Sequence, residues 1–141
     1  MIKMKKQFLI LFLLSGMTLS LFSQSTLTIE INGLRNNIGQ VLLDFNNEKG
    51  VNLIGISKNI DDRKCIIVIN NIKPGNYTFK YFHDENQNNT LDLYNIGFPN
   101  EGYGFSNNAN GAFSPPSLKE MRFEIKGDTT IRCTPKYINI K

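Results

Sequence analysis

The sequence KPGNYTFKYFHDENQNNTLD, residues 73–92, joins the clearest strand of the chain to its most unusual loop. The Pro-Gly pair near its start predicts a turn, because proline presets one turn position and glycine supplies the positive φ of the next. Tyr77, Phe79 and Tyr81 then alternate with polar residues, which is the period of a half-buried strand. The strand runs directly into His83 and the acidic residue after it. We therefore expect a β-domain that holds a long loop at the end of this strand.

Short strand-like runs fill most of the remaining chain. They lie at residues 26–31, 40–45, 53–57, 64–70, 121–125 and 129–137, and the run at 53–57 is the weakest. The run at 64–70 is β-branched and apolar on both sides, as expected of a central strand, whereas Pro135 indicates a sheet edge or a bulge. Ser117 to Glu120 resembles a capping box that begins a single helical turn. The pattern predicts an all-β domain: a single antiparallel β-sandwich of about seven strands, Ig-like or transthyretin-like, with one long Gly/Asn/aromatic loop.

The first 23 residues have the pattern of a signal peptide. Three lysines precede an apolar run at residues 8–14 that is too short to span a bilayer comfortably, and the small residue Ser23 ends the segment. We expect residues 1–23 to be removed and residues 24–141 to form one exported domain, periplasmic or at the cell surface, without stable membrane insertion. An uncleaved membrane anchor is the alternative.

The charge and the cysteine content restrict the kinds of binding partner and the redox state that we expect for this chain. The formal net charge of +4 includes the three lysines of the leader, so the chain that follows is close to neutral. No block of basic residues remains, which argues against a nucleic-acid partner. Cys65 and Cys133 both lie in the exported part, where they would form one disulfide or remain two buried thiols.

The start of the loop has the spacing of a calcium site. Oxygen-bearing residues stand at every second position: Asp84, Asn86, Asn88, Thr90 and Asp92. This spacing matches positions 1, 3, 5, 7 and 9 of the EF-hand loop, and Thr90 would contribute its carbonyl. Asn89 replaces the glycine of the sharp turn, Asn95 replaces the final bidentate glutamate, and Glu101 is a substitute carboxylate from further round the loop. Ca²⁺ would bind weakly, at roughly 10⁻⁴ to 10⁻³ M; Asx turns without any metal are the alternative.

The second part of the loop is both glycine-rich and aromatic. Its candidate binding surface consists of Tyr103, Phe105, Asn107, Asn108 and Phe113. A loop of this length in a small domain is usually functional or packed on its own side chains. The aromatic residues therefore either pack beneath the loop or face a peptide, a glycan or a partner protein.

Catalytic chemistry is poorly supported by the residues. His83 is the only histidine, and no nucleophilic serine or cysteine pattern accompanies it, so no triad is indicated and no catalytic residue is assigned. The leading interpretation is a non-enzymatic binding or accessory module, with Ca²⁺ as the one candidate cofactor. Two alternatives stay open: a hydrolase that uses His83, Asp84, Asp92 and Glu101, or a purely structural envelope protein.

The chain also resembles a known family of exported bacterial proteins, the domain-of-unknown-function family numbered 2141. The resemblance is carried by residues 73–77, 83–88, 91–92, 97–108 and 115–117. It implies an exported β-sandwich of Gram-negative bacteria and implies no reaction. Members commonly have glycine between the loop asparagines and the next apolar residue, and Asn88-Asn89-Thr90 departs from that pattern. The Pro-Gly-Asn-Tyr run is similar to carboxypeptidase-regulatory and transthyretin-like accessory domains as well.

Overall fold

The computed structural model describes residues 24–111 and 114–140, which contain eight strands and two short helical turns. The strands are β1 (Ser25–Asn32), β2 (Gln40–Asn47), β3 (Asn52–Asn59), β4 (Lys64–Ile72), β5 (Gly75–Asp84), β6 (Tyr103–Phe105), β7 (Phe123–Ile125) and β8 (Thr129–Cys133). A 3₁₀ turn spans Ser106–Asn108, and helix α1 spans Leu118–Met121. The leader predicted at residues 1–23 lies outside the described residues. No helix of the described segments is long and apolar enough to cross a membrane.

Two sheets face each other, as the alternating sequence predicts. The first has the order β4-β1-β8, and the second has the order β3-β2-β5, with β6 and β7 both paired along the far edge of β5. The all-β sandwich is therefore confirmed. One pair departs from the expected antiparallel pattern, because β8 runs parallel to β1 after the chain has crossed from β7 in the opposite sheet.

The core lies between the sheets and is built from the alternating positions. Leu27, Ile29 and Ile31 of β1 are fully buried, and so are Val41 of β2 and Phe79 of β5. Burial of each large side chain of this kind contributes about 1.5–3 kcal/mol. The period of two in the sequence thus sets both the strands and the face that each strand turns inward.

Strands β3, β4 and β6 differ from the sequence-based expectation. β4 is an edge strand and not a central one, and Ile66 and Val68 on its outer face are half exposed. The apolar run suggested a strand buried on both faces, but no part of the described residues covers the outer face of β4. β3 is a regular eight-residue strand, longer than the weak run predicted. β6 was not predicted, since three residues in a glycine-rich segment carry no periodic signal.

The two cysteines do not form a disulfide. Cys65 on β4 and Cys133 on β8 both pair with Ile31, one from each side of β1. Neighbouring strands are about 4.8 Å apart, so the two Cα atoms are separated by more than the ~7 Å that a disulfide tolerates. Both residues are free and buried, and burial raises the pKa of each thiol to about 11. They act as small apolar core residues with little thiolate at neutral pH.

The capping box predicted at the short helix is present. The Ser117 hydroxyl accepts a hydrogen bond from the Glu120 N–H, and the Glu120 carboxylate accepts one from the Ser117 N–H. The hydrogen bonds with Ser117 also lower the pKa of Glu120. The helix nevertheless stops after one turn, at Met121, because the following residues enter β7.

Candidate functional site

Three segments meet at one end of the sandwich and form the base of the long loop. They are the β1–β2 connection at residues 33–39, the β5–β6 connection at residues 85–102, and the segment after β8. Tyr103 and Lys136 exchange two backbone hydrogen bonds, which fix the segment after β8 to β6. The chain around the loop is therefore held from both sides.

His83 is buried at this base and connects two of the segments. Its Nε2 lies 2.7 Å from the Ile38 carbonyl oxygen, and its Nδ1 lies 2.8 Å from the Tyr137 hydroxyl. Because a carbonyl only accepts, the two bonds are satisfied when the proton is on Nε2 and the tyrosine donates to Nδ1. Arg35 covers the Tyr137 ring at 4.9 Å and donates its backbone N–H to the hydroxyl. Both histidine nitrogens are thus used within the protein.

Asp84 begins the loop as a fully buried carboxylate. Its two oxygens accept hydrogen bonds from the backbone N–H groups of Asn88 and Asn89 at 3.1 and 3.0 Å. The side-chain amide of Gln40 donates a third bond at 3.0 Å. A buried carboxylate needs such partners because desolvation would otherwise penalise its charge. Asp84 therefore shapes the first turn of the loop from below.

The residues that follow form Asx turns. Asn86 accepts from the N–H of Asn88, and Asn88 accepts from the N–H of Thr90, each through its side-chain oxygen. The amide nitrogens of both asparagines donate to the Asp92 carboxylate, at distances from 2.6 to 3.2 Å. Asn89 has a φ of 62° and takes the left-handed conformation of the sharp-turn glycine. The loop is thus folded around its own hydrogen bonds.

Glu101 connects the start and the end of this turn. It is 4% exposed, and its carboxylate accepts the backbone N–H groups of Glu85 and Asp92 at 2.9 and 3.1 Å. The predicted calcium residues and Glu101 are therefore brought together, but they face donors of the loop itself. The described part of the chain has no group of three or more His, Cys, Asp or Glu side chains placed to hold a metal ion.

Most of the residues predicted as a contact surface make hydrogen bonds within the protein, although Asn107 and Asn108 are exposed. Tyr103 is 5% exposed and donates its hydroxyl to the Gly111 carbonyl. The Asn107 amide donates to the carbonyls of Glu120 and Arg122, and Asn108 bonds the backbone of β8 and the residue after it. Tyr103 and Phe105 both line cavities beside the loop, and Phe113 lies outside the described residues. These aromatic and amide groups mainly hold the loop in place.

An apolar groove lies between the loop and the outer face of the five-stranded sheet. A cavity of about 210 Å³ lies on β2 and β5, and a second of about 470 Å³ lies under the loop. They adjoin, since both are lined by Leu91, Tyr103 and Phe105. Further apolar lining comes from Leu42, Phe82, Leu93, Ile96, Phe98 and Pro99. We call this surface the groove.

The groove is exposed at its rim and nearly free of charge. Leu93 and Ile96 are 56% and 64% exposed. The charged residues in its lining are Asp44 and Lys80, whose carboxylate oxygen and ammonium nitrogen are 3.5 Å apart. The binding surface predicted from the sequence shares Tyr103 and Phe105 with this groove, but Leu91, Leu93 and Ile96 were not predicted to belong to it. The leucines on either side of Asp92 were the signal that could have indicated them, since they alternate with polar residues.

The family comparison agrees with the resemblance drawn from the sequence. The profile of a family described as "Uncharacterized protein conserved in bacteria (DUF2141)" matches residues 29–132, which include the second half of β1, all of β2 to β7, the entire loop and most of β8. No curated protein and no solved structure matches the chain significantly, so the weaker similarity to transthyretin-like domains gains no support. With the match covering most of its length, the chain belongs to the DUF2141 family of uncharacterised bacterial proteins.

Proposed function

We propose that this protein is an exported, non-enzymatic binding module of the cell envelope, and that the groove is its ligand site. The observation that carries the proposal is the pair of adjoining cavities that share Leu91, Tyr103 and Phe105. A concave apolar surface on a well-ordered scaffold is the usual form of a binding site. The hydrogen bonds of Asp84 and Glu101 hold the loop above the sheet, so the groove exists before any ligand arrives.

The hydrolase alternative fits the geometry less well. A catalytic acid or base must reach a substrate in an accessible pocket. His83, Asp84 and Glu101 are buried, and each is bonded to backbone or amide groups of the protein. Neither cavity of the groove is lined by these residues or by Asp92. We therefore place the function in binding.

The lining favours an apolar peptide over a glycan. Sugars are commonly held by many polar groups beside exposed aromatic faces, whereas the lining of this groove, its aromatic residues included, is almost entirely apolar. Tyr103 is buried beneath the loop and does not offer an open ring. The ligand that matches this chemistry is an extended segment of a partner protein that carries two or more large aliphatic side chains.

Selection of a peptide ligand tests this proposal. The mature chain is immobilised and used to select from a random dodecapeptide library displayed on phage, and the enriched peptides are synthesised. We expect enrichment of aliphatic residues at two positions. Replacing the rim residues in the double variant Leu93→Ser, Ile96→Ser should weaken binding at least tenfold in fluorescence anisotropy, because each lost aliphatic contact removes about 1 kcal/mol or more.

The matched control lies on the opposite sheet. Ile66→Ser, Val68→Ser removes two half-exposed aliphatic side chains from the outer face of β4, far from the groove. This variant should bind the selected peptides as the wild type does. Equal binding by the rim variant, or a selection that enriches no aliphatic pattern, would rule out the groove as the ligand site.

Export is the second part of the proposal, and it rests on the basic and apolar pattern of residues 1–23. When the full-length chain is expressed in a Gram-negative host, we expect it in the periplasmic fraction with Gln24 as the first residue. Mass spectrometry of the intact purified protein measures this end directly. A product that retains the leader and stays with the membrane would show an uncleaved anchor instead.

We also propose that the Asp84–Asp92 turn binds Ca²⁺ weakly. Two features support it: the left-handed Asn89 at the position of the sharp-turn glycine, and the oxygen-bearing side chains at every second position from Asp84 to Asp92. Asn86 and Asn88 contact the Asp92 carboxylate through their amide nitrogens. A cation would displace these amide nitrogens and bring the carboxylate and amide oxygens toward itself. With few formal charges in the turn, we expect a dissociation constant of about 10⁻⁴ M or weaker.

A thermal-shift titration with calcium alone tests the ion site. Raising Ca²⁺ to ten times its dissociation constant should stabilise the fold by about 1.4 kcal/mol, which is a rise of a few degrees in Tm. Asp92→Asn should abolish the rise because it removes a ligand charge without changing shape. Asp62→Asn, in the exposed β3–β4 turn, should leave the rise intact. If calcium does not change the Tm of the wild type, the turn binds no calcium and is held by its Asx turns alone.

A further inference from the structure

Strand β3 is an open edge of the five-stranded sheet. It pairs with β2 on one side, and in the described part of the chain no strand pairs with its other side. Seven of its eight residues are exposed, the exception being Ile56, which packs against the core. The strand contains no proline, and Lys58 is its one charged residue. Such an edge offers a row of unpaired N–H and C=O groups to another strand.

The sequence of β3 is complementary to itself in one antiparallel register. When Gly55 lies opposite Gly55 of a second copy, Ile54 faces the second Ile56. In the same register Lys58 faces Asn52, so apolar residues meet apolar residues and no like charges are opposed. The centred register forms two isoleucine pairs. A shift of two residues either way leaves one, Ile56 with Ile56 or Ile54 with Ile54, and sets the other isoleucines opposite Lys58 or Asn52. Cross-strand pairs of this kind decide register.

We propose that two copies of the chain associate through their β3 strands, in an antiparallel pair centred on Gly55. The twofold axis then passes through the strand pair, perpendicular to the sheet, and the two five-stranded sheets continue into one. Gly55 suits this central position because it leaves the backbone free to approach. This association is independent of the proposed ligand and would stand if the groove bound nothing.

Lysine on an edge strand usually discourages pairing. Here Lys58 lies near the end of β3, and in the centred register its partner is the amide side chain of Asn52. The apolar pair of Ile54 and Ile56 lies beside the axis, where Ile54 is 42% exposed in the single copy. The position of Lys58 therefore does not oppose pairing with a second copy, and burial of the isoleucines on the inner face favours it. Both grooves lie on the outer face, so the dimer would present them on the same side.

Sedimentation velocity and a cysteine cross-link test the proposal together. The mature chain should change from monomer to dimer as its concentration rises from about 5 µM to about 500 µM, because a strand pair alone is a small interface. Gly55→Cys should form a disulfide-linked dimer under mild oxidation, since opposed Cα atoms in a strand pair lie within bonding range. A Cβ at this position meets its nearest atom, of Asp44, at an ordinary 3.8 Å.

The control tests the register on the same face of the same strand. Leu53→Cys should cross-link at least tenfold less, because residue 53 lies opposite Ser57 of the second copy. The native Cys65 and Cys133 are buried and should contribute no linkage. Comparable linkage from both variants would overturn the register.

A charge pair distinguishes this interface from every other one. Ile54→Lys and Ile54→Glu should each be monomeric alone, and an equimolar mixture should recover the dimer, because the two residues 54 are diagonal neighbours across the axis. A wild-type chain that stays monomeric to about 500 µM would overturn the proposal. So would a dimer that persists in both single variants, since the contact would then lie elsewhere.

Discussion

Replacing Gly39 with alanine is expected to lower the free energy of unfolding by about 3 kcal/mol, which combines the strain of a left-handed backbone with a steric overlap. Gly39 has a φ of +77°, a conformation that side chains with a Cβ rarely adopt. A Cβ there would overlap the Asp84 carbonyl oxygen and lie 2.7 Å from the Glu85 Cα. Backbone atoms cannot move aside as a flexible side chain can. Urea unfolding of the mature chain measures the loss.

The control separates strain from overlap. Gly97 has a similar φ of +88°, but a Cβ there would have no atom within 4 Å. Gly97→Ala should therefore lower the free energy of unfolding by only about 1 kcal/mol, the strain alone. If the two variants lose the same amount, the β1–β2 connection does not press against the start of the loop as the structure has it.

Replacing Asp84 with asparagine is the second large change, and we expect it to cost about 2 kcal/mol. The two side chains have nearly the same shape, but one acceptor oxygen becomes an NH₂ donor. The backbone N–H groups of Asn88 and Asn89 and the amide of Gln40 all donate to this carboxylate. In either orientation of the asparagine amide, its NH₂ group therefore faces at least one of these donors. Amide hydrogen exchange in residues 85–92 should become faster than in the wild type.

Asp62→Asn is the matched control for this substitution. Asp62 is exposed in the β3–β4 turn, and its left-handed φ of 46° suits asparagine equally well. The free energy of unfolding should change by less than about 0.5 kcal/mol. Equal losses from both aspartates would mean that the Asp84 carboxylate does not organise the loop.

The fold could be predicted largely because its core alternates. Leu27, Ile29 and Ile31 point inward at every second position, and periodicity alone identifies such strands. Periodicity does not predict whether a strand lies at the centre or at the edge of its sheet. Ile66 and Val68 have the composition of a central strand, yet they face outward from an edge. Alternation in the sequence shows which residues share a face of a strand. It does not show what covers that face.

In the candidate site, contacts between residues close in sequence could be predicted, and contacts between distant residues could not. The Asx turns of Asn86 and Asn88 join residues two positions apart, so their spacing in the sequence was informative. The bond from Tyr137 to His83 spans 54 residues, and no local pattern indicates it. The groove was predicted only in part, through Tyr103 and Phe105, because Leu91 joins them only after the loop has folded back over the sheet.

A heteronuclear NMR titration of the mature chain with a selected aliphatic peptide tests the central claim most directly. The groove account predicts amide shift changes concentrated at residues 91–99 and at the facing residues of β2, β5 and β6, with a control peptide of scrambled sequence giving none. The amides around the buried His83 and Asp84 should change little. Shift changes centred on those buried residues, or on β4 instead of the groove, would contradict it.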